Sequence, residues 1–124
     1  SLPEVDSTLL QAVRSWLTDY FNGHFRPIPV PVCWEGTPFQ KRVGQLLATI
    51  PPGTTMRYGQ LAQQLNSAPR AVGQAVAANP LPLLLPCHRV VGANGLGGFS
   101  APGGVASKLW LLNWEKQHCN RSPV

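Results

Sequence analysis

The sequence predicts a mostly α, α+β fold: a small domain with a winged-helix-like helix-turn-helix core, preceded by a reduced N-terminal segment. Three observations predict it. Apolar residues recur at helical spacing in several stretches. Two of the shorter stretches meet at the four-residue turn "NSAP". Twelve glycines and 13 prolines among 124 residues break the chain into short elements joined by many loops. The length fits one domain, or one domain carrying a remnant of another, and 44% apolar residues suffice for a core. Residues 1–35 read as an N-terminal helix and proline-rich linker, residues 36–124 as the domain proper.

The elements follow in order. "DSTLLQAVRSWLTDYFNG" starts at Asp6 or Ser7 as N-cap and ends on Gly23, with Leu9, Leu10, Val13, Trp16, Leu17, Tyr20 and Phe21 on one stripe. "FRPIPVPVCWEG" alternates proline with apolar residues, which suits an extended connector and not a central strand. In "TPFQKRVGQLLATIPPG", Thr37 caps a second helix, Pro38 sits in its first turn, and Phe39, Val43, Leu46, Leu47 and Ile50 line one face. "TTMRYGQLAQQLN" offers a Thr cap and the face Leu61, Ala62, Leu65. After the turn, "PRAVGQAVAANP" starts a helix at Pro69 and stops it at Asn79-Pro80. Two short helices around a tight turn outline a helix-turn-helix. The second is nearly without bulk: Ala71, Gly73, Ala75, Ala77 and Ala78 follow Arg70. Such a surface lets a helix approach a groove wall closely, and equally lets two helices pack tightly. Leu83–Leu85 and Val90-Val91 read as buried segments flanking Cys87-His88. "GANGLGG" is a turn-forming loop, since Asn94-Gly95 favours positive φ. A last helix, "VASKLWLLNWEKQH", is expected to point Val105, Leu109 and Leu112 inward, with Glu115 near its end.

Charge is unevenly placed. Up to Gln40 there are two basic residues (Arg14, Arg26) and four acids (Glu4, Asp6, Asp19, Glu35), a net −2. From Lys41 onward eight basic residues face the single acid Glu115, a net +7. This asymmetry favours a polyanionic partner, nucleic acid first, over ordinary solubility charge. Three cysteines, Cys33, Cys87 and Cys119, have no paired spacing, which argues against a disulfide framework and for a reducing compartment, cytoplasmic or nuclear. No signal peptide is read, and the apolar run Leu81–Leu85 is far too short to span a bilayer, so no membrane partner is expected. His24, Cys33, His88 and Cys119 show no zinc-ligand spacing; no metal or cofactor is expected.

The stretch "LPLLLPCHRVVG" sets Cys87 beside His88 and Arg89. Only a thiolate attacks well, and a free thiol is a few per cent ionised at neutral pH. A histidine that takes the proton and a carboxylate that orients it would make the nucleophile on demand. His88 is the histidine beside a cysteine, and Glu115 the one acid of the basic region. Adjacent residues of an extended strand point to opposite faces, so a turn at Pro86 or a bridging water is required. Taken alone, the pair reads more readily as a core cysteine beside a satisfied core histidine, the more common situation.

The longer string decides between these. "PCHRVV", preceded by "NPLPLLL" and followed by a glycine-rich loop, resembles the active-site signature of the O6-alkylguanine-DNA alkyltransferase family. The resemblance runs from "GTPFQKRVGQLLATIPPGTTMRYGQLA" through "RAVGQAVAANPLPLLLPCHRVV" and "GGFSAPGG" to "KLWLLNWE", roughly residues 36–116. It implies a single-turnover cysteine S-methyltransferase that repairs duplex DNA carrying O6-alkylguanine, with O4-alkylthymine as a further candidate, acting as a monomer. By the same resemblance Cys87 is the alkyl acceptor, His88 takes its proton through a water, Glu115 completes the relay, and Asn79 braces the hinge before the active-site segment. Tyr58 assists nucleotide rotation, Arg70 is the finger that fills the gap in the base stack, and Ser100 contacts the base. Phe99 and Pro82 line the alkyl pocket, while Ala71, Gly73 and Ala77 ease approach to the minor groove. A stacked base hides its O6 from any thiol, so flipping must precede transfer; Arg57, Arg89 and Lys108 are expected to hold phosphates. Family members carry a longer N-terminal domain than residues 1–35 allow. At Gly44 related helices carry a bulky apolar residue, which predicts looser packing here. Two other readings stay behind. A non-catalytic lesion binder would lack the acceptor cysteine, which this chain keeps. A helix-turn-helix regulator with a methylation-sensing cysteine would need base-reading side chains, and its second helix offers essentially Arg70 and Gln74.

Overall fold

The computed structural model describes residues 7–29, 32, 34–93, 95–97 and 103–119. Two units divide the chain, Ser1–Val32 and Cys33–Val124. In the first, helix α1 spans Ser7–Phe21. It ends where Gly23 enters the left-handed region (φ 86°). The Gly23 amide then donates to the Tyr20 carbonyl and the His24 amide to that of Asp19, the paired bonds of a glycine-terminated helix. The chain that turns back there covers the last two turns only. Trp16 Nε1 donates to the Arg26 carbonyl at 2.8 Å, and the Tyr20 ring meets Trp16, Phe21 and Phe25. Hence Trp16 and Tyr20 are buried while Leu9, Leu10 and Phe21 are exposed, and the stripe is shorter than its periodicity predicts.

The second unit opens with helix α2, Pro38–Leu47. Thr37 Oγ1 accepts from the Gln40 amide, and Gln40 Oε1 accepts from the Thr37 amide, so both ends of a capping box are closed. Strand β1 (Met56–Arg57) leads directly into helix α3 (Tyr58–Leu65). The expected Thr cap is absent: Thr54 Oγ1 instead bonds the Pro51 carbonyl, and Gln60 Oε1 accepts the Arg57 amide at the helix start. Asn66 closes α3 in the left-handed region, a conformation its short polar side chain tolerates, and helix α4 (Pro69–Ala77) follows with Pro69 at its first position. Strand β2, Val90–Val91, lies parallel to β1 with Met56 opposite Val90 and Arg57 opposite Val91. Helix α5, Gly104–Cys119, completes the unit.

Helices α2, α3 and α4 pack on one another. Val43, Leu47, Leu61, Val72 and Val90 are wholly buried, each contributing about 1.5–3 kcal/mol by leaving water. This core fixes the α3–α4 pair and anchors β2 just after the Cys87 turn. Gly44 does not loosen it. Trp34 and Leu85 close over the glycine, and a Cβ there would lie 3.4 Å from Trp34 Cε3 and 3.5 Å from Leu85 Cδ1, ordinary contact distances. Gly44→Ala is therefore expected to stabilise the protein by about 0.5–1 kcal/mol through helix propensity, measured as a higher urea midpoint; a lower midpoint would show that Trp34 cannot yield.

Helix α5 departs most from expectation. Val105 and Leu109 are exposed, and Leu112 is only half-buried, while Lys108 and Glu115 are fully buried. The reason is electrostatic: the inward stripe answers charges on the Cys87–Arg89 segment, and the apolar residues one position along are turned out.

Candidate active site

The approach to Cys87 is built from backbone hydrogen bonds that the sequence commits locally. Asn79 is buried and works in both directions, its Nδ2 donating to the Leu85 carbonyl at 2.8 Å and its Oδ1 accepting the Leu81 amide at 2.9 Å. The Leu85 amide closes the same loop onto the Leu81 carbonyl. Within it Leu83 has φ 75°, a left-handed conformation costing a branched residue roughly 1–2 kcal/mol. Pro86 then takes φ −77° and ψ 68°, and the Cys87 amide reaches back to the Leu85 carbonyl at 2.7 Å, an inverse γ-turn. Cys87–Arg89 follow as one turn of 3-10 helix. The segment is thus a turn and not a strand, so His88 and Arg89 reach α5 together while Cys87 stays beside Asn79.

Glu115 is where these side chains converge. Its Oε2 accepts from His88 Nε2 and from Arg89 Nη2, each at 2.7 Å, and its Oε1 accepts from Arg89 Nε at 2.9 Å and the Gly53 amide at 3.3 Å. Arg89 Nη1 donates to the Ile50 carbonyl at 2.7 Å. Burial alone would raise the Glu115 carboxyl, but the hydrogen bonds from His88 and Arg89 prevail and hold it at about 2. Burial lowers His88 despite the bond to Glu115, so the ring is neutral at pH 7. An ionised carboxylate can only accept, which places the His88 proton on Nε2 and leaves Nδ1 as a lone pair. That Nδ1 is buried without a protein hydrogen-bond partner among the described residues. Burial pushes the Cys87 thiol up, opposed by a hydrogen bond from Asn79 and by the charge of Lys108. The resting site therefore pairs a protonated thiol with a neutral base.

The parallel β1–β2 pair brings Tyr58, the first residue of α3, to the same place. Its phenol is raised by burial and by the proximity of Cys87. Gly97, at φ 74°, lies against this ring: a Cβ there would be 3.0 Å from Tyr58 Cε2. Gly73 also faces Tyr58, with a would-be Cβ at 4.0 Å, an ordinary contact distance, so the packing of α4 on the tyrosine does not itself demand glycine there. Arg70, Gln74 and Ala77 are exposed at helical spacing on α4, and Ala71 is half-buried. Pro82 is exposed and bridged to Leu85. Phe99, Ser100, Cys33 and Asn94 lie outside the described residues.

Two expected phosphate contacts are corrected. Arg89 is buried, and its fork is committed to Glu115 and Ile50. Lys108 has no exposed surface, and its Nζ lies 5.9 Å from the centre of the Tyr58 ring. Of the three cations named for the backbone, Arg57 alone is exposed. The Gly53 amide and Ile50 carbonyl were not singled out from sequence. The signal was the solitary acid Glu115, which any buried arginine in this region had to share.

A family model described as 6-O-methylguanine DNA methyltransferase, DNA binding domain, matches residues 38–117. The chain belongs to this family. Among relatives in the 6-O-methylguanine DNA methyltransferase family, the methylated-DNA–protein-cysteine methyltransferase of Salmonella typhimurium is 50% identical over 103 residues, 80% of this chain and 59% of that protein. The Mycobacterium leprae protein of the same name is 45% identical over 118 residues, 93% of this chain and 69% of its own length. The chain thus spans 59% of the Shigella flexneri and Salmonella relatives. Among solved family structures, the Mycobacterium tuberculosis OGT crystallised in complex with DNA superposes with a TM-score of 0.81 at 41% identity, covering 86% of this chain and 66% of that one. The same organism's O6-methylguanine methyltransferase gives 0.79 at 39% identity.

Proposed function

We propose that this chain repairs O6-alkylguanine in duplex DNA by irreversible transfer of the alkyl group to Cys87. The observation that carries the reading is the buried line Cys87, His88, Glu115, in which Glu115 fixes the imidazole tautomer and leaves Nδ1 free to act as base. The S–H bond breaks, and its proton passes to Nδ1 through a bridging water. The sulfur lone pair attacks the alkyl carbon, the C–O6 bond breaks with its electrons going to guanine, and guanine regains a proton. Alkylated sulfur is a thioether that mild hydrolysis does not cleave, so each chain acts once.

The base must first leave the stack. Exposed Arg70 at the start of α4, and the small side chains around Gln74, suit insertion of this helix edge into a groove, with Arg70 filling the vacated position. In this reading Tyr58, at the head of α3, meets the rotated nucleotide. Family membership and the likeness to an OGT bound to DNA support a duplex partner. A reducing compartment and a monomeric state complete the proposal, since transfer requires Cys87 as a free thiol.

The test is intact-protein mass spectrometry after incubation with a duplex holding one O6-methylguanine. We expect a gain of one methyl group, mapped to the Cys87 peptide and saturating at one per chain. No gain, with lesion binding intact, would favour a non-catalytic lesion binder.

A further inference from the structure

We infer that Arg42 is a phosphate-binding residue of the duplex interface, held for that task beside the turn between α3 and α4. The inference rests on the reading of α4 as the helix that enters the groove. Arg42 stands on α2, yet its Nη2 donates across 23 positions to the carbonyl of Leu65, the last residue of α3, at 3.2 Å. The last four carbonyls of a helix have no partner within it. The amides of Asn66 and Ser67 turn back on Gln63 and Ala62, which leaves the Leu65 carbonyl to Arg42. The arginine nevertheless remains exposed. A guanidinium carries five N–H donors in one planar fork. Among the described residues the Leu65 bond is the one that Arg42 makes, and no carboxylate pairs with it.

Two features of the turn make a phosphate the group that the remaining donors meet. The first is electrostatic. A helix C-terminus carries about half a negative charge, so the bare end of α3 would repel a DNA strand laid along the turn. A guanidinium on its last carbonyl reverses that sign, and the planar fork suits phosphate oxygens. The second is reach. From Leu65 to Arg70 the chain spans at most about 18 Å, about five steps of one DNA strand at about 3.4 Å each. The residues between them, Asn66 to Pro69, are all exposed, and none is bulkier than asparagine. With Arg70 in the base stack, Arg42 therefore comes to the backbone within about five nucleotides of the flipped base.

The test is fluorescence anisotropy of the full chain on a labelled duplex, with and without one O6-methylguanine, from about 50 to about 200 mM salt. Each phosphate contact contributes about 0.9 to the slope of log affinity against log salt concentration. Arg42→Gln is expected to flatten that slope by about this amount on both duplexes, so its loss of affinity is about 3.5-fold greater at the low salt than at the high. Arg42→Lys keeps a charge at the turn and is expected to keep the wild-type slope. Arg42→Met carries the same test if the Gln variant does not fold. A residue that only capped α3 would lower affinity by one factor at every salt concentration. An unmoved slope in the neutral variant, or an equal flattening in the Lys variant, overturns the inference. A wild-type chain whose duplex binding did not respond to salt would overturn the duplex reading itself, so the two failures are distinguishable.

Discussion

Cys87→Ala is expected to abolish methyl uptake from an O6-methylguanine duplex, by at least about four orders of magnitude, the scale on which removal of a nucleophile silences a triad. Binding of the same duplex is expected to stay within about 0.5 kcal/mol of wild type, the range of changes that remove no binding feature. The asymmetry follows from position. Cys87 is 4% exposed, behind the Leu81–Leu85 loop, whereas the exposed groups proposed to meet the duplex, Arg57, Arg70 and Gln74, lie on α3 and α4 and their approach. Removing the sulfur leaves the Asn79 bonds to Leu81 and Leu85 intact, so the hinge keeps its shape. Methyl uptake is read by mass and binding by fluorescence anisotropy on a labelled lesion duplex. Equal losses in both would mean that Cys87 organises the binding surface and would remove its assignment as acceptor.

Much of this arrangement was legible in the chain, and for identifiable reasons. Helix α2 announces itself through Thr37, Pro38 and Gln40, a capping pattern that needs no tertiary partner. The α3–α4 pair follows from Asn66 and Pro69, residues that end and begin helices by their own backbone preferences. Strands β1 and β2 were not legible, because two residues are too few for a period-two signal and each exists only through the other. Helix α5 misled for a related reason. Leu109 is apolar and Lys108 is not, so local patterning turns the wrong face inward, and only the pairing of Arg89 with Glu115 across 26 positions reverses it. The same default put Arg89 and Lys108 on phosphates: an isolated cation is read as surface until its partner is known. The Cys87–His88–Glu115 grouping was legible through family resemblance and through Glu115 being the lone acid of the basic region.

Arg89→Met is the substitution expected to cost most in stability, about 3–5 kcal/mol, because it strips a buried carboxylate of its ion-pair partner. Arg89 supplies two bonds to Glu115 and a third to the Ile50 carbonyl; methionine keeps the stem's packing and loses all three. His88 and a long bond from Gly53 still reach Glu115, but the guanidinium whose charge balances the carboxylate is gone. The acid limb of wild-type stability gives an independent measure. A carboxyl held at about 2 in the fold against an ordinary 4.5 contributes stability present above pH 4.5 and lost as pH falls toward 2, on the order of 3 kcal/mol. His88 and Arg89 share that contribution, so Arg89→Met removes part of it and not the whole. Urea unfolding of wild type and Arg89→Met at pH 7 and at pH 3 therefore decides the matter. The difference between them should be large at pH 7 and shrink at pH 3, where part of the wild-type contribution has gone. A loss under about 1 kcal/mol at pH 7 would place the pair in solvent-like surroundings. It would also undercut the chemistry, since a Glu115 that is not locked by Arg89 cannot fix the tautomer of His88 that leaves Nδ1 as the base.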